Sequence, residues 1–110
     1  MIKSVRKRDG RIADFEKEKI TNAIFKAAKA VGGEDYELAK VLTTQVVQKL
    51  EERFPKEIPS VEDVQDTVEK VLIENGHAKT AKAYIIYRKE SAQVREAKEI
   101  LGVKDELKLP

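Results

Sequence analysis

The residues with the clearest capacity for chemistry are cations. Lys3, Arg6, Lys7, Arg8 and Arg11 fall within the first twelve residues with Asp9 as the sole acid, a net +4 that leaves −2 on the rest of the 110-residue chain. Such a cluster suits an anionic ligand, and it equally suits a solvated edge strand whose charges deter aggregation. Arg88 is a second candidate. It follows Tyr84-Ile85-Ile86-Tyr87 in a stretch that is otherwise apolar. A guanidinium in that setting either pairs with an acid such as Asp66 or Glu69 or is kept for a phosphate.

Several other chemistries lack their residues. There is no Cys, which excludes disulfides, thiolate metal sites and cysteine nucleophiles within these residues. The single His77 follows Gly76 and reads as a loop residue, so neither a Ser/His/Asp triad nor a catalytic metal centre is expected. Neither G-x-x-x-x-G-K-[ST] nor G-x-G-x-x-G occurs. The acid pairs Glu51-Glu52 and Glu62-Asp63 read as exposed helix surface. With 41% hydrophobic residues, the chain has material for one modest core. It carries neither an apolar stretch of membrane-spanning length nor one of signal-peptide type at the N-terminus, so a cytoplasmic protein is expected.

The elements that must position these cations follow from periodicity. Residues 3–15 read as a β-hairpin turning at Asp9-Gly10, with a two-residue type I′ loop. That loop pairs Lys7 with Ile12 and Val5 with Asp14, and sets Val5, Lys7 and Ile12 on one face, which places the Lys7 ammonium beside a core. A first helix is predicted over about 17–31, with Ile20, Ala23, Ile24, Ala27, Ala28 and Val31 as its apolar stripe and Gly32-Gly33 as its stop. A second helix, about 36–54, aligns Leu38, Leu42, Val46, Leu50 and Phe54. Pro55 and Pro59 then bracket Lys56-Glu57-Ile58, a short extended piece expected as a third, edge strand. Ser60 with Asp63 forms a capping-box variant opening a third helix, whose stripe is Val61, Val64, Val68, Val71 and Leu72 and whose end is Asn75-Gly76. The fourth helix, about 78–100, carries Ala81, Tyr84, Ile85, Arg88 and Ala92 on one side and stops at Gly102. The predicted class is α+β and mainly helical.

Val5-Arg6-Lys7-Arg8-Asp9-Gly10-Arg11, then Phe15, then Lys19-Ile20 resembles the opening of an ATP-cone domain. The likeness continues through Ala23, Ala27, Ser60, Val64, Asp66 and Val68 to Ala81-Lys82-Ala83-Tyr84-Ile85-Ile86-Tyr87-Arg88, and so covers residues 3–90. It implies a four-helix bundle capped by a three-stranded sheet, with ATP or dATP, accompanied by Mg²⁺, between sheet and helices. It also implies allosteric control of the overall activity of a ribonucleotide reductase. By position, Val5 and Ile20 would contact adenine or ribose, and Lys7 and Arg8 the phosphates. The stretch Ala13, Asp14, Phe15, Glu16 through Lys19 would wrap the nucleotide, with Lys19 on phosphate. Val61 and Gln65 would line the base or sugar side, and Arg88 and Lys89 would approach the triphosphate.

Two positions depart from the family pattern. Glu16 stands where Asp is usual, and Asp is the better helix cap. Gln65 stands where some relatives carry His. The tail Ile100 to Pro110 resembles the linker into an adenosylcobalamin-dependent (class II) reductase. Residues 1–100 are therefore expected to be the nucleotide-binding domain, and 101–110 the start of a connection to a catalytic region that lies outside the chain. The fragment itself is expected to be non-catalytic. Its expected partners are an adenine nucleotide, that catalytic region and, through self-association, other cones. A nucleic-acid-binding or oligomerisation module related to the ATP-cone of a reductase-gene repressor is the alternative. Nucleic acid is disfavoured because the helices are mixed or acidic rather than basic.

Overall fold

The computed structural model describes residues 1–101. It contains strands β1 (Ser4–Arg6) and β2 (Ile12–Asp14) and helices α1 (Lys17–Ala30), α2 (Tyr36–Arg53), α3 (Val61–Glu74) and α4 (Ala78–Leu101). The expected stop at Gly102 and the linker reading of 103–110 lie outside the described residues. No helix among the described residues is long and apolar enough to cross a membrane.

The four helices form a closed ring of packed pairs, α1 on α2, α2 on α3, α3 on α4 and α4 on α1. Their apolar stripes meet in one core. Ile20, Ile24 and Ala27 come from α1, Ala39, Leu42, Val46 and Leu50 from α2, Val68, Val71 and Leu72 from α3, and Ala81 and Tyr84 from α4. A buried polar pair joins two of the helices. The Thr21 and Thr43 hydroxyls lie 2.7 Å apart, and Thr43 also donates to the Ala39 carbonyl. Neither threonine belongs to the apolar stripes read from the sequence, yet both are buried. Ser60 caps α3 as predicted. Its hydroxyl accepts from Asp63 N–H at 3.0 Å, and the Asp63 carboxylate accepts from Ser60 N–H at 2.9 Å.

The hairpin forms, but one residue out of the expected register. Ser4 faces Asp14, Val5 faces Ala13, and Arg6 faces Ile12. The loop holds three residues, Arg8 to Gly10. Gly10 N–H donates to the Lys7 carbonyl at 2.9 Å, and Lys7 N–H donates to the Arg11 carbonyl at 2.8 Å. Only Gly10 has positive φ, at 90°, so the turn is a type I turn followed by a left-handed glycine and not type I′. Asp9 supplies the local reason. Its carboxylate accepts from the Arg11 backbone N–H at 3.0 Å and from Arg11 Nε at 2.7 Å, which favours an ordinary turn at that residue. The backbone bond, chiefly, also holds its carboxyl below the usual range. A one-residue slip turns side chains to the other face. Ile12 therefore lies with Arg6 and is 48% exposed, while Val5 and Lys7 share their face with Ala13.

The expected third strand does not form, and the sheet has two strands. What remains is a single parallel bridge between Arg6 and Ser60, with Arg6 N–H donating to the Pro59 carbonyl at 2.9 Å. Pro55 and Pro59 have no N–H to extend a ladder, which explains why pairing stops at one bond. That bond still ties the hairpin to the start of α3.

In α4 the predicted stripe is only half right. Ala81 and Tyr84 are buried, but Ile85 is 41% exposed and Ala92 is also exposed. The helix leaves the core after its second turn, so Arg88 sits at a rim and not in an apolar interior.

Candidate functional site

The hairpin, the first turn of α1 and the first turns of α3 enclose a cavity of about 350 Å³. The hairpin contributes Val5, Lys7, Ala13 and Asp14, the bend into α1 contributes Phe15 and Glu16, α1 contributes Lys19 and Ile20, and α3 contributes Val61, Val64 and Gln65. The wall divides by chemistry. Val5, Ala13, Phe15, Ile20, Val61 and Val64 supply its apolar surface. Lys7, Lys19 and Gln65 supply donors.

The Lys7 ammonium is exposed and has no ion-pair partner among the described residues. Lys19 bridges to Glu16 at 3.1 Å. Glu16 is the N-cap of α1, yet its side chain caps nothing. Glutamate is one methylene too long for the short loop back to the N2 or N3 amide that Asp makes. The first-turn N–H groups of α1 thus lack a side-chain partner where the helix dipole is positive, an arrangement that favours an anion.

A second concavity, a groove of about 630 Å³, runs between α3 and α4. Arg8, Arg88, Lys89 and Arg95 line it together with Glu62, Glu69, Glu96 and Glu99, so its charges balance. Arg88 is paired here. Its Nη1 donates to Glu69 at 2.6 Å and to Asp66 at 2.8 Å. Burial works against the Arg88 charge, but the bonds to Asp66 and Glu69 outweigh it and raise its pKa. The neighbouring Tyr84 hydroxyl is pushed up to about 12, chiefly by burial, with Arg88 opposing and Glu69 and Asp66 adding. Of the two open readings of Arg88, pairing with an acid is the one the structure contains, and both named acids take part.

Arg8 stands between cavity and groove. It is salt-bridged to Glu62 through Nη1, and its Nη2 donates to Gln65 Oε1 at 3.3 Å. A further hollow there, of about 450 Å³, is lined by Lys7, Arg8, Asp9, Val61, Gln65, Arg95 and Glu99, and so joins residues of the cavity and the groove.

Ten of the thirteen residues singled out from the sequence thus gather around one cavity. Arg8, Arg88 and Lys89 line the groove instead, so Lys7 and Arg88 do not face one another across a single cleft. Two participants were missed. Val64 reads in sequence as one more member of the α3 stripe. Its half-buried state, shared with Val61, marks the end of the stripe that faces the cavity. Glu62 reads as solvated surface, and nothing in its spacing announces Arg8, 54 residues away.

Comparison with known proteins places the chain in a family. Residues 3–93 match the model of the ATP cone domain. The chain is 48% identical, over 99% of its length, to a vitamin B12-dependent ribonucleoside-diphosphate reductase of Thermoplasma acidophilum. It is 41% identical, over 96%, to a reductase of the same description from Mycobacterium tuberculosis. An anaerobic ribonucleoside-triphosphate reductase of Haemophilus influenzae is 36% identical over 88% of the chain. The chain spans only 14–15% of the length of these relatives. With a hairpin, four helices and a family match over nearly all the described residues, the chain belongs to the ATP-cone family, whose members here are domains of ribonucleotide reductases.

Proposed function

We propose that this domain binds ATP or dATP in the cavity between the hairpin, α1 and α3, and that the bound nucleotide controls the overall activity of a ribonucleotide reductase of the B12-dependent class. One observation carries the reading. Val5, Phe15, Ile20 and Val61 form an apolar wall beside Lys7, Lys19 and the uncapped start of α1. A purine and a polyphosphate need that combination side by side.

In this reading the base and sugar lie against the apolar wall with Gln65 within reach, and Ala13, Asp14, Phe15 and Glu16 wrap them. The phosphates meet Lys7, Lys19 and Arg8. Lys89, which has no ion pair among the described residues, approaches from the groove. Arg88 would follow only by exchanging its two acids. No three His, Asp or Glu side chains gather as a metal site among the described residues, so an accompanying Mg²⁺ would be held through phosphate oxygens. The parent's adenosylcobalamin would belong to its catalytic region, which is also the domain's partner in transmitting the signal. Self-association through the cone and a cytoplasmic location belong to the same proposal.

Thermal melting with four nucleotides tests the assignment. A ligand specific to the folded state adds about 2.7 kcal/mol at one hundred times its Kd. ATP and dATP are expected to raise the melting temperature, and GTP and CTP much less. Equal shifts with all four would leave only a phosphate site and overturn the adenine assignment.

A further inference from the structure

We propose that Glu62 is a positioning residue that competes with nucleotide phosphate for Arg8, and that the Glu62–Arg8–Gln65 contact is a latch which the ligand must open. The idea rests on the nucleotide reading above and adds to it a residue and a regulation that neither the family resemblance nor the cavity lining assigns.

The geometry is specific. Arg8 occupies the hairpin tip, in a loop closed by the Gly10-to-Lys7 and Lys7-to-Arg11 bonds. One residue earlier in the chain, Lys7 lines the cavity. The Arg8 side chain turns the other way, onto α3, where Glu62 takes Nη1 and Gln65 takes Nη2. Those two residues are not equivalent. Gln65 lines the cavity, whereas Glu62 lines the groove. Arg8 is therefore held at the partition by one group on each side. Its neighbour Lys7 has no ion-pair partner among the described residues, and Lys19 has only the exposed Glu16. Of the three basic side chains near the cavity, Arg8 is the one held by two partners from another element.

Guanidinium binds phosphate in the same forked, two-donor manner as it binds carboxylate. A triphosphate extending from the cavity toward the hairpin tip would present that geometry to Arg8. Accepting it costs the Glu62 bond and frees the Gln65 amide, which already borders the site. With side chains 33% and 46% exposed, the Arg8–Glu62 pair is of the partly solvated kind, strong enough to hold a position and weak enough to exchange. The latch thus sets affinity without closing the site. Opening it loosens a tie between the hairpin tip and α3, and Arg6 N–H to the Pro59 carbonyl is the bond that keeps the hairpin attached meanwhile.

The test is a double-mutant cycle on the whole 110-residue chain, read as ATP affinity by calorimetry. Glu62→Gln removes the competing charge and is expected to tighten ATP binding about two- to fivefold, the worth of a partly exposed ion pair. Arg8→Ala is expected to weaken it about tenfold or more. In the Arg8→Ala background, Glu62→Gln is expected to gain nothing, because no latch is left to open. Glu62→Ala serves as a second substitution with the same expected coupling, and the melting temperature of each nucleotide-free variant verifies that it is folded. An equal gain in both backgrounds would show Glu62 acting as a diffuse negative charge and would overturn the latch. No gain from either Glu62 substitution in the otherwise wild-type chain would overturn it too. Absence of ATP binding by the wild-type chain is a different result, which removes the nucleotide reading itself and the latch with it.

Discussion

Arg88→Ala tests whether the α3–α4 groove is held together by charge. Arg88 Nη1 lies 2.6 Å from Glu69 and 2.8 Å from Asp66. The two acids differ in environment, with side chains 22% and 61% exposed. The well-exposed Asp66 arm is worth only ~0.5 kcal/mol, since water and salt replace it readily. The Glu69 arm is worth more, because truncation strands a largely buried carboxylate beside Asp66, at a cost of about 1.5–3 kcal/mol for a charged hydrogen bond. The sum, about 2–3.5 kcal/mol, reaches at most the lower part of the cost of breaking a fully buried pair. For a domain of this size it corresponds to a fall in melting temperature of roughly 10–20 °C. Denaturant unfolding of the nucleotide-free chain measures it. Glu69→Leu combined with Arg88→Met should recover most of the loss, because neither charge is then left unpaired. ATP affinity of Arg88→Ala, measured where it is folded, should fall less than that of Lys7→Ala. A stability change below about 0.5 kcal/mol would refute the reasoning, as the pair would then be mere surface. A double variant as unstable as Arg88→Ala would refute it equally.

Other consequences follow from single features. Lys7→Ala should weaken ATP binding by about 1.5–3 kcal/mol while leaving the nucleotide-free melting temperature unchanged, since no described acid loses a partner. Gly10→Ala meets no atom within 4 Å, so its cost is left-handed backbone strain alone, about 1 kcal/mol, visible as a lowered melting temperature. Folding raises the Tyr84 pKa from 10.0 to about 12, so the folded chain keeps the phenolic proton that the unfolded chain gives up. This contribution is complete below the unfolded value and is lost as pH rises toward the folded one, up to ~2 kcal/mol. Wild type should therefore lose stability relative to Tyr84→Phe between about pH 10 and about pH 12, read as urea midpoints, the lysines being common to both. Thr43→Val should cost ~1 kcal/mol by leaving the Thr21 hydroxyl short of a partner, and Thr21→Val added to it should restore much of that.

Local grammar was legible in the sequence. The apolar stripes at helical spacing located all four helices to within a residue or two. Ser60 and Asp63 announced the start of α3, Gly76 its end and Gly32 the end of α1, because capping and chain reversal depend on residues three or four apart. The cavity residues were legible for a different reason. The family resemblance carried Val5, Phe15, Lys19, Ile20, Val61 and Gln65 over by position, and the pattern of the residues themselves singled out only Lys7 among those that line the cavity. Three matters were decided only in three dimensions. Whether the hairpin loop held two residues or three turned on a single Asp9 carboxylate choosing the Arg11 amide, and that choice moved Ile12 from the core face to solvent. Whether 56–58 became a strand depended on donors that two prolines lack and on how far the hairpin reached toward α3. The partner of Arg8, Glu62, lies 54 residues away, and although the sequence named Asp66 and Glu69 for Arg88, 22 and 19 residues away, it left open whether Arg88 pairs with them or is kept for a phosphate. Periodicity carries no information over such separations, because charge pairing is settled by which helix faces the packed core leaves adjacent.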